Sequence, residues 1–331
     1  MVLKMNNKAQ ITGLGSYLPE KVITNKDLEE IVDTSDEWIT SRTGIKKRHI
    51  AREDEPTSEL AYNAALEALE NGGLSPKELD LIIVATVTPD MAFPATACII
   101  QEKLGADNAA AFDLEAGCSG FVYGLSVGAQ FIESSLYENV LVIGAETLSK
   151  IMDWEDRGTC ILFGDGAGAA LLQPATQGGL LAFELGADGK GGESLYMPAG
   201  GSLNPASEET VKNKLHYIKM EGNQVFKFAV KKMGKASLDV LKKANLNPED
   251  VDLFIPHQAN TRIISAAARR LKLKEDEVFV NLPRYGNTSS ASVPIALYEA
   301  WEKGKIKNKD KIVLVAFGAG LTWAATVLEW A

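Results

Sequence analysis

The sequence predicts a duplicated α/β protein, and three features of the chain carry that expectation. Leu66–Ile83 (LEALENGGLSPKELDLII) aligns without gaps on Leu238–Ile255 (LDVLKKANLNPEDVDLFI) at a fixed offset of 172 residues. The pattern returns near the end of each half, where NVLVIGAETLS (139–149) faces KIVLVAFGAGLT (311–322). Between these segments each half carries a strand-to-turn-to-helix step, AAAFDLEAGCSGFVYGLSVGAQFIES in the first and VFVNLPRYGNTSSASVPIALYEAWEKG in the second.

In the first pair, Leu66, Leu69, Leu74, Pro76, Asp80, Leu81 and Ile83 meet Leu238, Leu241, Leu246, Pro248, Asp252, Leu253 and Ile255. Each copy reads as an amphipathic helix, a proline-containing turn and an apolar strand too continuous to be half exposed. The second pair adds another buried strand to each half. Two copies at this period are too long for a solenoid, so we expect two related halves, 1–175 and 176–331. In the third pair Gly117–Cys118 and Gly286–Asn287 take matching places, each just before a helix. A pseudo-twofold axis then brings two helix N-termini to one central site.

Composition narrows the function classes. Hydrophobic residues make up 46% of the chain and charged residues 24%, enough apolar material for a large core. The N-terminus lacks a basic region followed by an apolar stretch and a small-residue cleavage site. No apolar run reaches the roughly 18–20 residues that span a bilayer. A soluble, cytoplasmic protein is therefore expected. A net charge of −10 argues against general nucleic-acid binding, because phosphates demand a basic surface. The three cysteines lack CxxC spacing, and the three histidines show no HExxH, so neither a disulfide scaffold nor a metal site is expected. Cys98 and Cys160 lie in apolar runs and read as small buried hydrophobes.

Cys118 is different. A helix N-terminus offers unpaired amides and the positive end of the helix dipole, which stabilise a thiolate and lower its pKa from ~8.5. Ser119, Gly120, Gly124 and Gly128 keep the neighbourhood small. His257 stands at the C-terminal end of the strand VDLFIP, where α/β folds place their chemistry. Pro256 and Gln258–Asn260 around it suggest an exposed, hydrogen-bonded strand end. His49 and His216 lack such a setting and read as structural or surface residues. Asn287 supplies an amide that donates without taking a proton. Cys, His and Asn also describe a papain-like hydrolase, but no protease-like local signature accompanies them. The other geometry has His257 and Asn287 both facing a thioester oxygen and stabilising an enolate. The stretch GDGAGAA (164–170) lies between two strand-like runs with no helix after it, so its glycines read as close packing near the duplication axis, not as a phosphate loop. FGAGLTW (317–323) follows the last buried strand, and an amide there can complete an oxyanion hole with that of Cys118.

Together these residues resemble β-ketoacyl-acyl carrier protein synthase III, the condensing enzyme that initiates type II fatty acid synthesis. The resemblance spans nearly the whole chain: TSDEWITSRTGIKKRHI (34–50), DLEAGCSGFVYGL (113–125), FGDGAGAALL (163–172), MEGNQVFKFAV (220–230), HQANTRII (257–264), YGNTSSASVP (285–294) and AFGAGLTW (316–323). It implies a thiolase-like fold, two βαβαβ-type halves in five layers, αβαβα. It implies Cys118 as the acylated nucleophile, with His257 and Asn287 assisting decarboxylation and the amides of Cys118 and Ala319 forming the oxyanion hole. Coenzyme A would lie between Trp38 and Arg157, with Thr34, Arg42, Gly222, Asn223 and Asn260 along its tunnel. Leu148 and Phe163 would line the acyl pocket, which Phe93 of a partner subunit would enter, so a homodimer is implied. One departure is the terminal loop, Gly-Ala-Gly in place of Gly-Gly-Gly; an alanine keeps its amide and suffices if its φ is negative.

The implied reaction needs no metal or redox cofactor, because acyl-CoA and malonyl-acyl carrier protein are substrates and decarboxylation drives the step. Acyl carrier protein is acidic, so local basic residues must receive it. Lys227, Lys231 and Lys235 share one helical face, and Arg262 and Arg269 share another, with Arg270, Lys272 and Lys274 nearby. Two other readings stand: a related condensing enzyme using a longer or unusual starter in a polyketide, quinolone or olefin pathway, and a thioester hydrolase or acyltransferase that forms no carbon–carbon bond.

Overall fold

A computed structural model describes residues 8–331. Its strands are β1 (Ala9–Tyr17), β2 (Lys21–Thr24), β3 (Lys47–Ile50), β4 (Leu81–Ala85), β5 (Ala110–Leu114), β6 (Val140–Glu146), β7 (Gly166–Pro174), β8 (Gly179–Ala187), β9 (Leu195–Tyr196), β10 (Lys219–Met220), β11 (Leu253–Pro256), β12 (Lys311–Gly318) and β13 (Thr322–Glu329). The helices are α1 (Asn25–Glu29), α2 (Asp36–Thr43), α3 (Thr57–Gly72), α4 (Thr96–Leu104), α5 (Gly120–Glu133), α6 (Arg157–Cys160), α7 (Glu208–Lys212), α8 (Gly222–Lys243), α9 (Thr261–Leu271), α10 (Leu282–Tyr285) and α11 (Ser292–Glu302). None of the described helices is long and apolar enough to cross a membrane.

Two sheets dominate. One has the order β1-β7-β6-β4-β5 and the other β11-β12-β13-β8. Strands β4, β6, β11 and β12 are buried along almost their whole length, which is why they read as continuous apolar runs instead of alternating ones. Helices cover both faces of each sheet, giving the five layers αβαβα. The first sheet packs outward on α3 and α4 through Leu60, Ala64, Ala68, Ile82, Ile100 and Leu141. The second packs outward on α8 and α9 through Met233, Val240, Phe254, Ile263 and Val313. Between the sheets lie α5 and α11, whose Phe121, Leu125, Val293 and Leu297 join strand residues of both sheets in one core.

The repeat is visible at the level of single hydrogen bonds. Ser75–Glu78 and Asn247–Asp250 form equivalent capping boxes around the two proline turns. Asp80 then accepts from Asn139 N–H at 2.9 Å, and Asp252 accepts from Lys311 N–H at 2.8 Å. Each aspartate ties the start of its strand to the neighbouring strand. The fifth strand of the second sheet is reduced to a single parallel bridge, Phe254↔Val278.

At the same offset, the 3₁₀ turn Gly117–Ser119 matches Ser289–Ala291. Gly117 has φ +55 and Ser289 φ +49, so the left-handed entry is also repeated. The structural counterpart of Cys118 is therefore Ser290, not Asn287 as the Gly-Cys and Gly-Asn pairs suggested. Asn287 lies on the preceding loop, where its backbone pairs with Leu162 and Gly164.

One cysteine expectation fails. Cys160 is fully buried, but Cys98 is exposed. The buried stripe of α4 is Ala97, Ile100 and Leu104, and position 98 lies about 100° round the helix from 97. The glycines at 164–170 do serve packing: a Cβ on Gly168 would meet Ile295 N and Pro294 Cβ at 2.8 Å, so glycine lets α11 lie against β7.

Candidate active site

Cys118 sits where the inner ends of β5 and β12 meet between the sheets. The terminal loop after β12 approaches it closely: a Cβ on Gly318 would stand 2.4 Å from Cys118 N, and one on Gly117 2.6 Å from Ala319 N. Thr322 Oγ1 fastens the two segments, donating to Ala116 O at 2.8 Å and lying 3.0 Å from Ser119 Oγ. Among the described residues, neither the Cys118 nor the Ala319 amide is paired with a carbonyl. Ala319 is absent from the left-handed residues, so the Gly-Ala-Gly loop meets the condition set for it.

Two cavities open on Cys118. The larger, about 530 Å³, is lined by Leu148, Phe163, Val87, Met91, Ile151 and Met197 among others, and so is mainly apolar. The smaller, about 160 Å³, brings together His257, Asn287, Asn260, Gly222, Phe226 and Phe317.

His257 is buried, not exposed as its polar neighbours suggested. Gln258 is buried as well, and its amide spends all its capacity on Pro256 O, Phe279 O and the N–H groups of Asn281 and Leu282. His257 Nδ1 pairs with Ser292 Oγ, which also accepts from Gln258 N–H at 3.4 Å. A hydroxyl that accepts there has its proton free for Nδ1. The other ring nitrogen, Nε2, then carries the hydrogen and donates into the smaller cavity. Burial against the edge of Phe317 (ring centroids 5.3 Å apart) pushes the His257 pKa down to about 3, so the ring is neutral. Asn287 Oδ1 accepts from Ser289 N–H at 2.9 Å, which leaves its NH₂ as the group that faces the site.

The thiol behaves differently from the expectation. Burial pushes the Cys118 pKa up to about 12, opposed by a hydrogen bond from Ser289 and reinforced by the negative charge of Glu146. Among the described residues no cation offsets the burial, and the neutral His257 supplies none. Desolvation outweighs the helix N-terminus here.

Other predicted residues fall in several places. Arg42 and Arg157 both stack on Trp38, with guanidinium carbons 4.8 and 4.9 Å from the ring centroid. Arg157 also donates to Asp33 O at 2.8 Å. Thr34 Oγ1 is turned inward and buried, with no hydrogen-bond partner among the described residues. Asn260 caps α9 through Arg262 N–H and donates to Arg42 O, so its amide is already engaged. Gly222 lines the smaller cavity; Asn223 is exposed beside it. Phe93 is 85% exposed and does not line the cavity of its own chain. Lys227, Arg262, Arg269 and Arg270 are all exposed. Arg262 stacks on Phe226 at the smaller cavity, while Arg270 packs over Gly234 on α8. Lys235 and Lys274 are paired with Asp239 and Glu277.

The sequence reading missed Glu146, Ser289 and Ser292. A carboxylate closing the otherwise apolar strand VLVIGAE was the available signal for the first, and the serine run after Asn287 for the others.

Known proteins resemble this chain along its length. Residues 112–189 match the model of 3-oxoacyl-[acyl-carrier-protein] synthase III, and residues 241–330 match the model of its C-terminal part. The β-ketoacyl-[acyl-carrier-protein] synthase III of Caldanaerobacter subterraneus is 64% identical over 97% of this chain and 98% of that protein. The chain belongs to the 3-oxoacyl-[acyl-carrier-protein] synthase III family. The crystal structure of the Aquifex aeolicus synthase III superposes with a TM-score of 0.90 at 50% identity, covering 97% of this chain and 100% of that one. A priming β-ketosynthase of the R1128 polyketide pathway superposes at 0.92 with 36% identity, covering 100% and 99%. Membership makes the chain an acyl-transferring condensing enzyme, of the class that begins fatty acid synthesis.

Proposed function

We propose that Cys118 takes the acyl group of acetyl-CoA or another short acyl-CoA and passes it to malonyl-acyl carrier protein, giving 3-oxoacyl-acyl carrier protein, CoA and CO₂. The observation that carries this reading is the position of Cys118 at the meeting of two cavities. One is apolar and suits an acyl chain; the other holds two neutral donors, His257 and Asn287. The Cys118 sulfur attacks the thioester carbonyl, the amides of Cys118 and Ala319 hold the oxyanion, and the CoA sulfur leaves. The malonyl thioester then enters the smaller cavity. Loss of CO₂ leaves an enolate whose oxygen accepts from His257 Nε2–H and Asn287 Nδ2–H. Its carbon attacks the acyl-cysteine, and Cys118 is released.

Adenine of CoA enters between Trp38 and Arg157, with Thr34, Arg42, Gly222, Asn223 and Asn260 along the route inward. Acidic carrier protein docks on Lys227, Arg262, Arg269 and Arg270. The working unit is a homodimer. Met91, Phe93, Tyr196 and Met197 expose apolar surface in the segments that frame the larger cavity, and β5 is the half-buried outer strand of its sheet. Phe93 of one subunit closes the acyl pocket of the other. The halves 1–175 and 176–331 supply the nucleophile and the two donors respectively, and the enzyme works in the cytoplasm.

Intact mass after mixing with acetyl-CoA, then with malonyl-acyl carrier protein, tests the reading. We expect a gain of one acetyl group that Cys118→Ala abolishes and that the second substrate discharges with release of CO₂. Discharge as free acetate without CO₂ would instead identify a hydrolase. The 530 Å³ cavity is roomy for an acetyl group and favours a second reading, a longer starter. Loading by longer acyl-CoAs with no gain from acetyl-CoA would establish it.

A further inference from the structure

Glu146 is fully buried at the end of β6, among hydroxyl and amide groups and, among the described residues, without a cation. Its Oε2 accepts from Thr88 Oγ1 at 2.8 Å, Val87 N–H at 3.1 Å and Thr86 Oγ1 at 3.2 Å. Its Oε1 lies 2.9 Å from Ser289 Oγ and 2.9 Å from Ser290 Oγ. Ser289 and Cys118 line the same cavity. One hydroxyl therefore stands between the cavity of Cys118 and a buried carboxylate. Ser289 holds a left-handed backbone conformation, a strain that persists where the surrounding structure over-determines it.

We infer that Ser289 and Glu146 form a proton relay for Cys118, with Glu146 a positioning residue that stores the thiol proton during acyl transfer. This rests on the proposed role of Cys118 as nucleophile. As the sulfur–acyl bond forms, the S–H bond breaks, its proton passes to Ser289 Oγ, and the Ser289 hydroxyl proton passes to Glu146 Oε1. The bond between the acyl carbon and the CoA sulfur breaks, and the proton leaves with the CoA thiol. Both states of the relay are fully hydrogen-bonded. With Glu146 ionised, Ser289 donates to it. With Glu146 protonated, its O–H donates to Ser290 Oγ, whose own proton goes to Ala85 O at 2.8 Å, while Ser289 turns to the sulfur. Burial raises the Glu146 pKa and so suits it to holding a proton. The neutral, weakly basic His257 is poorly suited to that task. Among the described residues, the titratable group facing Glu146 is Cys118 itself; the other contacts come from Thr86, Val87, Thr88, Ser289 and Ser290.

The test compares single-turnover acetylation of Cys118 across pH in the wild-type enzyme, Glu146→Gln and Ser289→Ala, followed by discharge of preformed acyl-enzyme with malonyl-acyl carrier protein. The relay predicts that each variant loads about 100-fold more slowly at neutral pH. Wild-type loading should rise through the Glu146 titration and then level, whereas variant loading should climb with hydroxide toward the thiol's own titration. Discharge should stay within about threefold of wild type, since the Cys118 sulfur leaves in that step and takes its proton back afterwards. Loading within about threefold of wild type in either folded variant overturns the relay. So does slower loading with the wild-type pH profile, or an equal loss in loading and discharge. Where Glu146→Gln does not fold, Ser289→Ala decides alone. A wild-type enzyme that never acylates Cys118 overturns the underlying function instead.

Discussion

Gly117–Ser119 and Ser289–Ala291 are equivalent 3₁₀ turns, each entered through a left-handed residue and each leading into a helix of the central layer. Their contents differ because their neighbours differ. The first turn faces the terminal loop, and glycine is required at its entry because a Cβ would stand 2.6 Å from Ala319 N. The second turn faces the cavity, and its entry carries a serine whose hydroxyl reaches Glu146. Where the first turn presents Cys118, the proposed nucleophile, the second presents the serines proposed to orient and relay. Duplication thus supplied a symmetric frame, and side chains at matching positions were free to take complementary parts. The next step of each half shows the same division: Gly120 packs against Ala85, while its counterpart Ser292 orients His257.

The largest effects should separate the two halves by reaction step. Cys118→Ala should give no acyl-enzyme at all. His257→Ala and Asn287→Ala should still load, yet lose about 10²–10³ in condensation, the usual cost of removing one donor to a developing oxyanion. Stopped-flow condensation beside intact mass reads both steps, and equal losses in loading would show that the C-terminal donors are not confined to the enolate.

Exchanging the entry residues sharpens the comparison. Gly117→Ala should cost about 2 kcal/mol or more through its left-handed φ and its clash with the Ala319 amide. Ser289→Gly removes the equivalent strain, and should leave urea-unfolding stability much closer to wild type. A Ser289→Gly enzyme as unstable as Gly117→Ala would mean that the turns differ in more than their neighbours.

The C-terminal half should also carry an acid sensitivity that the Cys118 turn lacks. The folded His257 pKa of about 3 lies below the ordinary 6.5, so the unfolded state binds the extra proton. Its contribution to stability is complete above pH 6.5 and is lost as pH falls toward 3, reaching about 2 kcal/mol by pH 5. The stability difference between pH 7 and pH 5 should therefore shrink by that amount in His257→Gln; an unchanged difference would show that the ring is not held neutral. The smallest effect concerns the mouth of the smaller cavity. Arg262→Ala should raise KM for malonyl-acyl carrier protein about threefold at low salt and less at high salt. A salt-independent change would assign Arg262 to packing on Phe226.

Much of the frame was legible because it is written in local pattern. Buried parallel strands must be continuously apolar, so LIIVA and VLVIGAE announced themselves, and the repeated Pro and Asp residues marked a turn and a strand-tying carboxylate whose hydrogen bonds recur in both halves. Cys118 was legible because it stands among small residues before a helix, and His257 because it ends an apolar strand. The equivalence of Cys118 with Asn287 was misjudged, since the Gly-Cys and Gly-Asn pairs hid a three-residue difference in loop length. Cys98 was misjudged because an apolar run does not state which of its residues face outward.

By itself, the sequence determined the repeated α/β plan and the order of its elements, and it proposed a nucleophile with two partners, all from residues near one another in the chain or repeated along it. Tertiary structure alone decided the protonation of the site. Whether Cys118 is a thiol or a thiolate, and whether His257 is neutral, depends on desolvation and on partners more than a hundred residues away, such as Glu146 beside Ser289. Electrostatic energies follow distance in space and access to water, and neither is written in the spacing of residues along the chain.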